Sequence, residues 1–147
     1  MKKSWYWVAG FAAFVAGMLL FFASKSPLNA TEIDWRLLGE LDYITGHAPA
    51  ELKSFDQQKI KMPGFMVPLE DNARRVTEFL LVPTPQACIH VPPPPPNQMV
   101  HVRVKGSGAP TAFGPIWVYG DFKISTSKSI YGESSFEIQA DAIEPYP

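Results

Sequence analysis

Short runs of β-branched and aromatic residues, breaks at Pro and Gly between them, and the loss of helical spacing beyond Lys59 together predict a mainly β domain. Five such runs fall between Lys59 and Ile143, the complement of a small five-stranded OB-like Greek-key barrel. A β-sandwich or an open sheet is the alternative architecture. One transmembrane helix and one short amphipathic helix are expected ahead of it, so the chain divides into residues 1–25, 26–58 and 59–147.

The first division holds the uncharged run Ser4 to Ser24, SWYWVAGFAAFVAGMLLFFAS, long enough as a helix to cross a hydrocarbon core about 30 Å thick. Lys2 and Lys3 before it favour a cytoplasmic N-terminus and an exported remainder, and Trp5, Tyr6 and Trp7 suit an interfacial belt. A cleavable signal peptide shares the basic head and the apolar stretch. The small residues that cleavage requires are missing, because Leu28-Asn29-Ala30 and Phe21-Phe22-Ala23 both place a bulky side chain first. A retained single-pass anchor is therefore expected.

After the linker Ser26 to Ala30, Thr31 is placed to cap a short helix in which Ile33, Leu37, Leu38 and Leu41 recur at helical spacing and Gly46 is the stop. Nothing beyond it reads as helical. The strands expected are Lys59 to Leu69, bent or bulged at Pro63-Gly64; Thr77 to Val82, resuming at Ala87 to Val91; Met99 to Lys105; Ile116 to Ser125; and Ser135 to Ile143. In the fourth, Ile116, Val118, Phe122 and Ile124 share a face with Gly120, where a neighbouring backbone can approach. In the fifth, Phe136, Ile138, Ala140 and Ala142 alternate with Glu137, Gln139 and Asp141, giving the dry and wet faces of an antiparallel sheet.

Setting Lys2 and Lys3 aside leaves 11 basic against 14 acidic side chains, a net charge of −3, without a basic cluster. Nucleic acid is not an expected partner. A single cysteine rules out an internal disulfide and argues against dithiol redox chemistry.

That cysteine sits in ACIHVPPPPPNQ, Ala87 to Gln98. Pro92, Pro93, Pro94, Pro95 and Pro96 lack backbone donors and hold an extended conformation, so they form a stiff surface loop or edge, a candidate binding surface. If Ala87–Val91 and Met99–Lys105 were the arms of a hairpin, inward Val100, Val102 and Val104 would face Ile89 and Val91. His90 would then oppose His101, and Cys88 would oppose Arg103. Cys88, His90 and His101 would form a candidate zinc or copper site with a thiolate and two imidazoles, its fourth ligand drawn from His47, Asp141 or Glu144. The plainer readings are a buried Cys88, a His90 bonded to its own loop, and an exposed His101. Nucleophilic catalysis by Cys88 and His90 needs an orienting group and an oxyanion hole that the sequence does not display. Trp117 and Tyr119 share the outward face of the fourth strand with Asp121 and Lys123, as an aromatic binding surface or as a small second core against the N-terminal helix.

The stretch IKMPGFMVPLEDNARRVTEFLLVPTPQACIHVPPPPPNQMVHV, Ile60 to Val102, with PIWVYGDF and ADAIEPY further on, resembles the family known as domain of unknown function 3299. The resemblance spans nearly all of the exported part. It implies a bacterial exported or lipid-anchored protein with no established activity, recurrently near ABC-type transporter components, some concerned with metals. Cys88 and His90 lie within the shared motif; His101 is not carried by it. No lipobox is present, since Cys88 is far from the N-terminus, and the N-terminal helix must anchor the chain instead.

The expectation is a non-enzymatic module in the bacterial inner membrane, its C-terminal domain in the periplasm, binding a protein partner or ligand as an accessory of an ABC-type transporter. The alternatives are a metal-binding protein, an uncharacterised enzyme, and, for location, a cleaved and soluble periplasmic form.

Overall fold

Alternation decides the first long strand. In β2 (Lys59–Pro68) Ile60, Met62 and Met66 are buried while Lys59 is exposed and Lys61, Pro63 and Phe65 are only half-buried, the period of two expected of a sheet with one dry face. Before it stand β1 (Thr31–Glu32), α1 (Trp35–Gly39) and α2 (Ala50–Ser54). After it come β3 (Arg75–Val76), β4 (Glu78–Val82), a 3₁₀ turn (Pro96–Gln98), β5 (Val100–Val104), β6 (Ala109–Pro110), β7 (Pro115–Ser129) and β8 (Gly132–Pro145). The computed structural model describes residues 30–70, 74–85 and 92–147. The expected transmembrane helix, in residues 1–25, lies outside them, and among the described residues no helix is long and apolar enough to cross a membrane.

The chain is mainly β with few helices. Its main ladders run β2–β4–β5–β8–β7, and β7 pairs again with β2. The β5–β8 ladder is parallel and the others of this series are antiparallel. The strand β2 belongs to two neighbours because it changes partner along its length: Lys59 to Phe65 pair with β7, and Phe65 to Pro68 with β4. Gly64 stands at the changeover, where an added Cβ would lie 2.8 Å from the Leu81 side chain and 2.9 Å from the Val82 carbonyl oxygen. The sequence expects a bulge or bend at Pro63-Gly64. The register there is regular, and the irregularities fall instead on β7 and β8, between Tyr119 and Gly120 and between Ile124 and Ser127.

The inner faces make one core. Met62, Phe79, Leu81, Val102, Val118, Phe122, Phe136 and Ile138 are all buried in it, and the rings of Phe122 and Phe136 stack at 5.6 Å. Ile33, Leu37, Leu38, Leu41 and Leu52 close the core from the N-terminal segment. Burying a leucine of this kind contributes about 1.5–3 kcal/mol. The expected apolar positions of this segment are therefore right, but its expected form is not. Thr31 pairs with Ile60 in β1, and Asp34 is the cap, its Oδ1 accepting from the Leu37 amide at 2.8 Å. The Asp42 carboxylate accepts from the amides of Ile44 and Thr45 and from the Thr45 hydroxyl, a local arrangement that competes with further helix. A second helix then begins after Pro49, where five residues with Leu52 as their one buried side chain carry no readable periodicity.

The strands β7 and β8 extend beyond the expected Ile116–Ser125 and Ser135–Ile143. Their extra residues pair with each other, Ser127 with Ser134 and Ser129 with Gly132, through backbone bonds that no apolar pattern announces. Gly120 carries the close approach its sequence suggests: an added Cβ would lie 2.3 Å from the Gln139 carbonyl oxygen. Gly120→Ala is expected to cost roughly 1–3 kcal/mol, as overpacking against rigid backbone does. Urea unfolding of the two proteins measures it, and an unchanged midpoint would mean that the β7–β8 bulge relaxes freely.

Candidate functional site

The inward turn of Val100, Val102 and Val104 sends His101 and Arg103 to the other face of β5, as the sequence predicts. Their neighbours differ from the prediction. His101 stands opposite Leu80 and Arg103 opposite Glu78, because the antiparallel partner of β5 among the described residues is β4. The other edge of β5 is occupied by β8, with Val100 beside Phe136 and His101 beside Glu137. Both edges of Val100–Arg103 are thus used. Cys88 and His90 lie outside the described residues.

His101 is not an exposed strand residue; it is 4% exposed. The extension of β7 brings Ser127 to it, with Oγ 2.6 Å from Nδ1. Its Nε2 lies 3.4 Å from Glu78 Oε2, within electrostatic reach but not aligned as a hydrogen bond, so this buried nitrogen has no hydrogen-bond partner among the described residues. Glu78 Oε1 instead accepts from Arg103 Nε at 3.1 Å, and Arg103 Nη1 donates to Glu137 Oε2 at 3.1 Å. Beside this network is a cleft of about 300 Å³, walled by Gln57, Arg103, Asp121, Lys123, Glu137 and Gln139, with charges of both signs.

Two of the three proposed fourth ligands, Asp141 and Glu144, have side chains engaged elsewhere. Asp141 and Asp121 share the ammonium groups of Lys59 and Lys105: Lys59 Nζ is 2.9 Å from Asp121 and also bonds Asp141, while Lys105 Nζ is 2.9 Å from Asp121 and 2.6 Å from Asp141. Glu144 accepts from the Tyr119 hydroxyl at 3.2 Å. His47 is exposed in the Asp42–His47 turn, where its backbone carbonyl accepts from the Asp42 amide at 2.9 Å; that bond leaves its imidazole unengaged, so of the three candidates only Asp141 and Glu144 have their side chains taken up by these contacts. Among the described residues, no three His, Cys, Asp or Glu side chains gather as a metal-ligand group.

Trp117 and Tyr119 do share an outward face. The Trp117 ring lies 5.0 Å from that of Tyr146 and under the Lys61 ammonium at 4.5 Å, while Lys61 also pairs with Glu32 at 3.1 Å. Desolvation, and then the charge of Glu144, raise the Tyr119 phenol above its ordinary pKa. The aromatic that docks the N-terminal helix is a different one: Trp35 Nε1 donates to the Pro63 carbonyl at 2.7 Å.

The proline run behaves as a mount. Pro92, Pro93 and Pro95 are exposed and in no regular element, and Pro96 opens the 3₁₀ turn. The two amides that follow carry functions the sequence reading missed. Asn97 Nδ2 donates to the carbonyls of Gly39 at 3.1 Å and Leu41 at 3.0 Å, and Gln98 Nε2 donates to that of Trp35 at 3.2 Å. These carbonyls lie in α1 and just beyond it, where helices leave acceptors unsatisfied. The only hint in the sequence is that the apolar motif ends in two polar amides.

Partial burial pushes the carboxyls of Asp121 and Asp141 up, but hydrogen bonds from Lys59 and Lys105 outweigh it and hold both below the ordinary 3.8. Hydrogen bonds donated by Lys105 to the same carboxylates, that to Asp141 first, hold its ammonium above the ordinary 10.5. The carboxylates therefore add stability that is full above their unfolded pKa and lost as pH falls through the lower folded values. For Lys105 the contribution is full below its unfolded pKa and lost as pH rises through the higher folded value. These groups are more than a third exposed, so Lys105→Met is expected to cost less than about 1 kcal/mol near neutral pH. Urea midpoints of both proteins should converge in acid below 3.8 and in high salt; a difference independent of pH would show that packing, not charge, is what Lys105 contributes.

Residues 43–145 match the family model described as protein of unknown function (DUF3299). No curated protein matches the chain. Among solved structures, the chain is similar to a DUF3299 family protein from Pseudomonas aeruginosa PAO1, determined by crystallography, with 33% sequence identity and a TM-score of 0.65. The similarity covers 80% of this chain and 97% of that one. With its β core, its amide-mounted proline run and most of its length inside that match, this chain belongs to the DUF3299 family.

Proposed function

We propose that this protein is a membrane-anchored periplasmic binding module without catalytic function: an OB-like Greek-key barrel formed by residues 59–147, carried on an N-terminal span, that docks a component of an ABC-type transporter. The barrel reading rests on the closed series of ladders and its single parallel member, β5 with β8. Barrels of this kind take oligonucleotides or sugars on the faces of their second and third strands. Here those are β4 and β5, and Leu80 at 2% and His101 at 4% exposure leave that face closed. The binding surface is therefore sought elsewhere.

One observation carries the proposal. The segment Pro92–Pro95, exposed except for half-buried Pro94, runs directly into a turn fastened to the N-terminal segment by Asn97 and Gln98. A partner that meets prolines so held immobilises almost no side-chain freedom, where an ordinary flexible side chain costs about 0.5–1.5 kcal/mol. Trp117, Tyr119 and Tyr146 offer a second, aromatic surface with the amphipathic character common at interfaces. A benzophenone amino acid in place of Pro93, in the full chain in native membranes, is expected to give a reproducible adduct with a transporter component, and the same probe at exposed Lys53 none. No adduct at Pro93, or equal adducts at both positions, would overturn the proposal.

The second reading, a zinc or copper protein using Cys88 and His90, is favoured by the buried Nε2 of His101, which lacks a hydrogen-bond partner among the described residues while Nδ1 is oriented by Ser127. Metal content of the purified full chain tests it. Stoichiometric zinc or copper that disappears in Cys88→Ala, His90→Ala and His101→Ala supports it; a metal-free protein, or metal that persists in the three variants, rejects it.

A further inference from the structure

We infer that the end of the domain bearing the β7–β8 turn and the Tyr43–Ile44 loop rests on the lipid surface, with Ile44 and Ile130 dipping into the boundary between headgroups and acyl chains. The inference rests on the anchored reading and adds an orientation to it.

The strands define this end. Thr31 and Glu32 run parallel to Ile60 and Lys61, so the chain preceding Thr31 enters from the side where β2 begins. Lys59 at that beginning pairs with Asp121, and β7, antiparallel to β2, continues past it to Ser129. The turn Ile130–Tyr131 therefore lies at the end where the chain enters. An added Cβ at Gly132 would lie 3.9 Å from Met99 Cε, and Met99 follows the turn whose Asn97 holds the Leu41 carbonyl. Leu41 leads directly into Tyr43 and Ile44. The two apolar tips thus flank one segment.

Their exposure has no explanation within the fold. Ile44 is 84% exposed, Ile130 80%, Tyr43 47% and Tyr131 44%. Two-residue hairpin turns are ordinarily built from Asn, Asp and Gly, and an isoleucine gains nothing there in water. Of the charges near the tips, Lys128 is paired with Glu133 at 3.0 Å, and the Asp42 carboxylate, which stays ionised, is turned back onto the amides of Ile44 and Thr45. Aliphatic tips flanked by tyrosines match the chemistry of a bilayer interface. The uncharged sequence run ends at Ser24, and the residues from there to Thr31 reach at most about 25 Å, so an anchored domain is kept close to the bilayer. A tether of that length raises the effective concentration of weak tips at the surface. Phe113, 97% exposed, precedes Pro115, which pairs with Phe65 away from the start of β2, and so marks the opposite end.

The test uses the full chain in vesicles of phosphatidylethanolamine with a minority of phosphatidylglycerol. In a Cys88→Ser background, Ile44→Cys, Ile130→Cys and Phe113→Cys each receive an environment-sensitive nitrobenzoxadiazole dye, and quenching by nitroxide-bearing lipids is measured. Lipid quenching at least about twofold stronger at positions 44 and 130 than at 113 is expected, with blue-shifted emission. Equal quenching at the three positions, or stronger quenching at 113, overturns the inference. Alkaline extraction separates the two failures: a chain that leaves the vesicles refutes the anchor, whereas a retained chain with wet tips refutes the orientation alone.

Discussion

The change of partner along β2 is the constraint on which the other features depend. One strand pairs with β7 over its first part and with β4 over its last, and only a residue without a side chain fits where the Leu81 side chain and the Val82 carbonyl crowd in at Gly64. Because both pairings are made, the inner faces of five strands converge on one core, and Phe79, Phe122 and Phe136 meet there from β4, β7 and β8. The N-terminal segment then has an apolar end to cover, which it does with Ile33, Leu38 and Leu52.

Polar groups tie the periphery to this frame. Lys59 from β2, Lys105 just after β5, Asp121 from β7 and Asp141 from β8 form a four-charge cluster that unites distant parts of the sequence at one place on the surface. Each exposed pair in it contributes little alone, but the arrangement is shared rather than pairwise. On another side, the amides of Asn97 and Gln98 satisfy carbonyls at and beyond α1, so the proline run is held to the helical segment as well as to β5. The proposed binding role draws on this second tie: the prolines are presented from a fixed base.

His101 is placed by the same logic. Alternation turns it outward, and the long extension of β7 then buries it beneath Ser127, beside the Glu78–Arg103–Glu137 network. A polar residue in such a place is held on three sides by different strands, and its unpaired Nε2 is the most unusual polar atom among the described residues.

The amino-acid sequence by itself determined what each residue prefers: the family, the mainly β class, the five principal strands to within a few residues, the inward set on β5 and β7 and on β8 as far as Ala140, and the outward turn of His101, Trp117 and Tyr119. These follow from the period of two and from motif, both of which are local. Only the tertiary structure decided which strands are neighbours. The partners of β5 among the described residues are β4 and β8, which no pattern names, because hydrogen bonding along a strand edge is blind to side-chain identity, so alternation fixes a face but never a partner. For the same reason the burial of His101, the engagement of Asp141 by two lysines and the hold of Asn97 on Leu41 were unreadable in advance: each joins residues far apart in the chain, where local pattern carries no information.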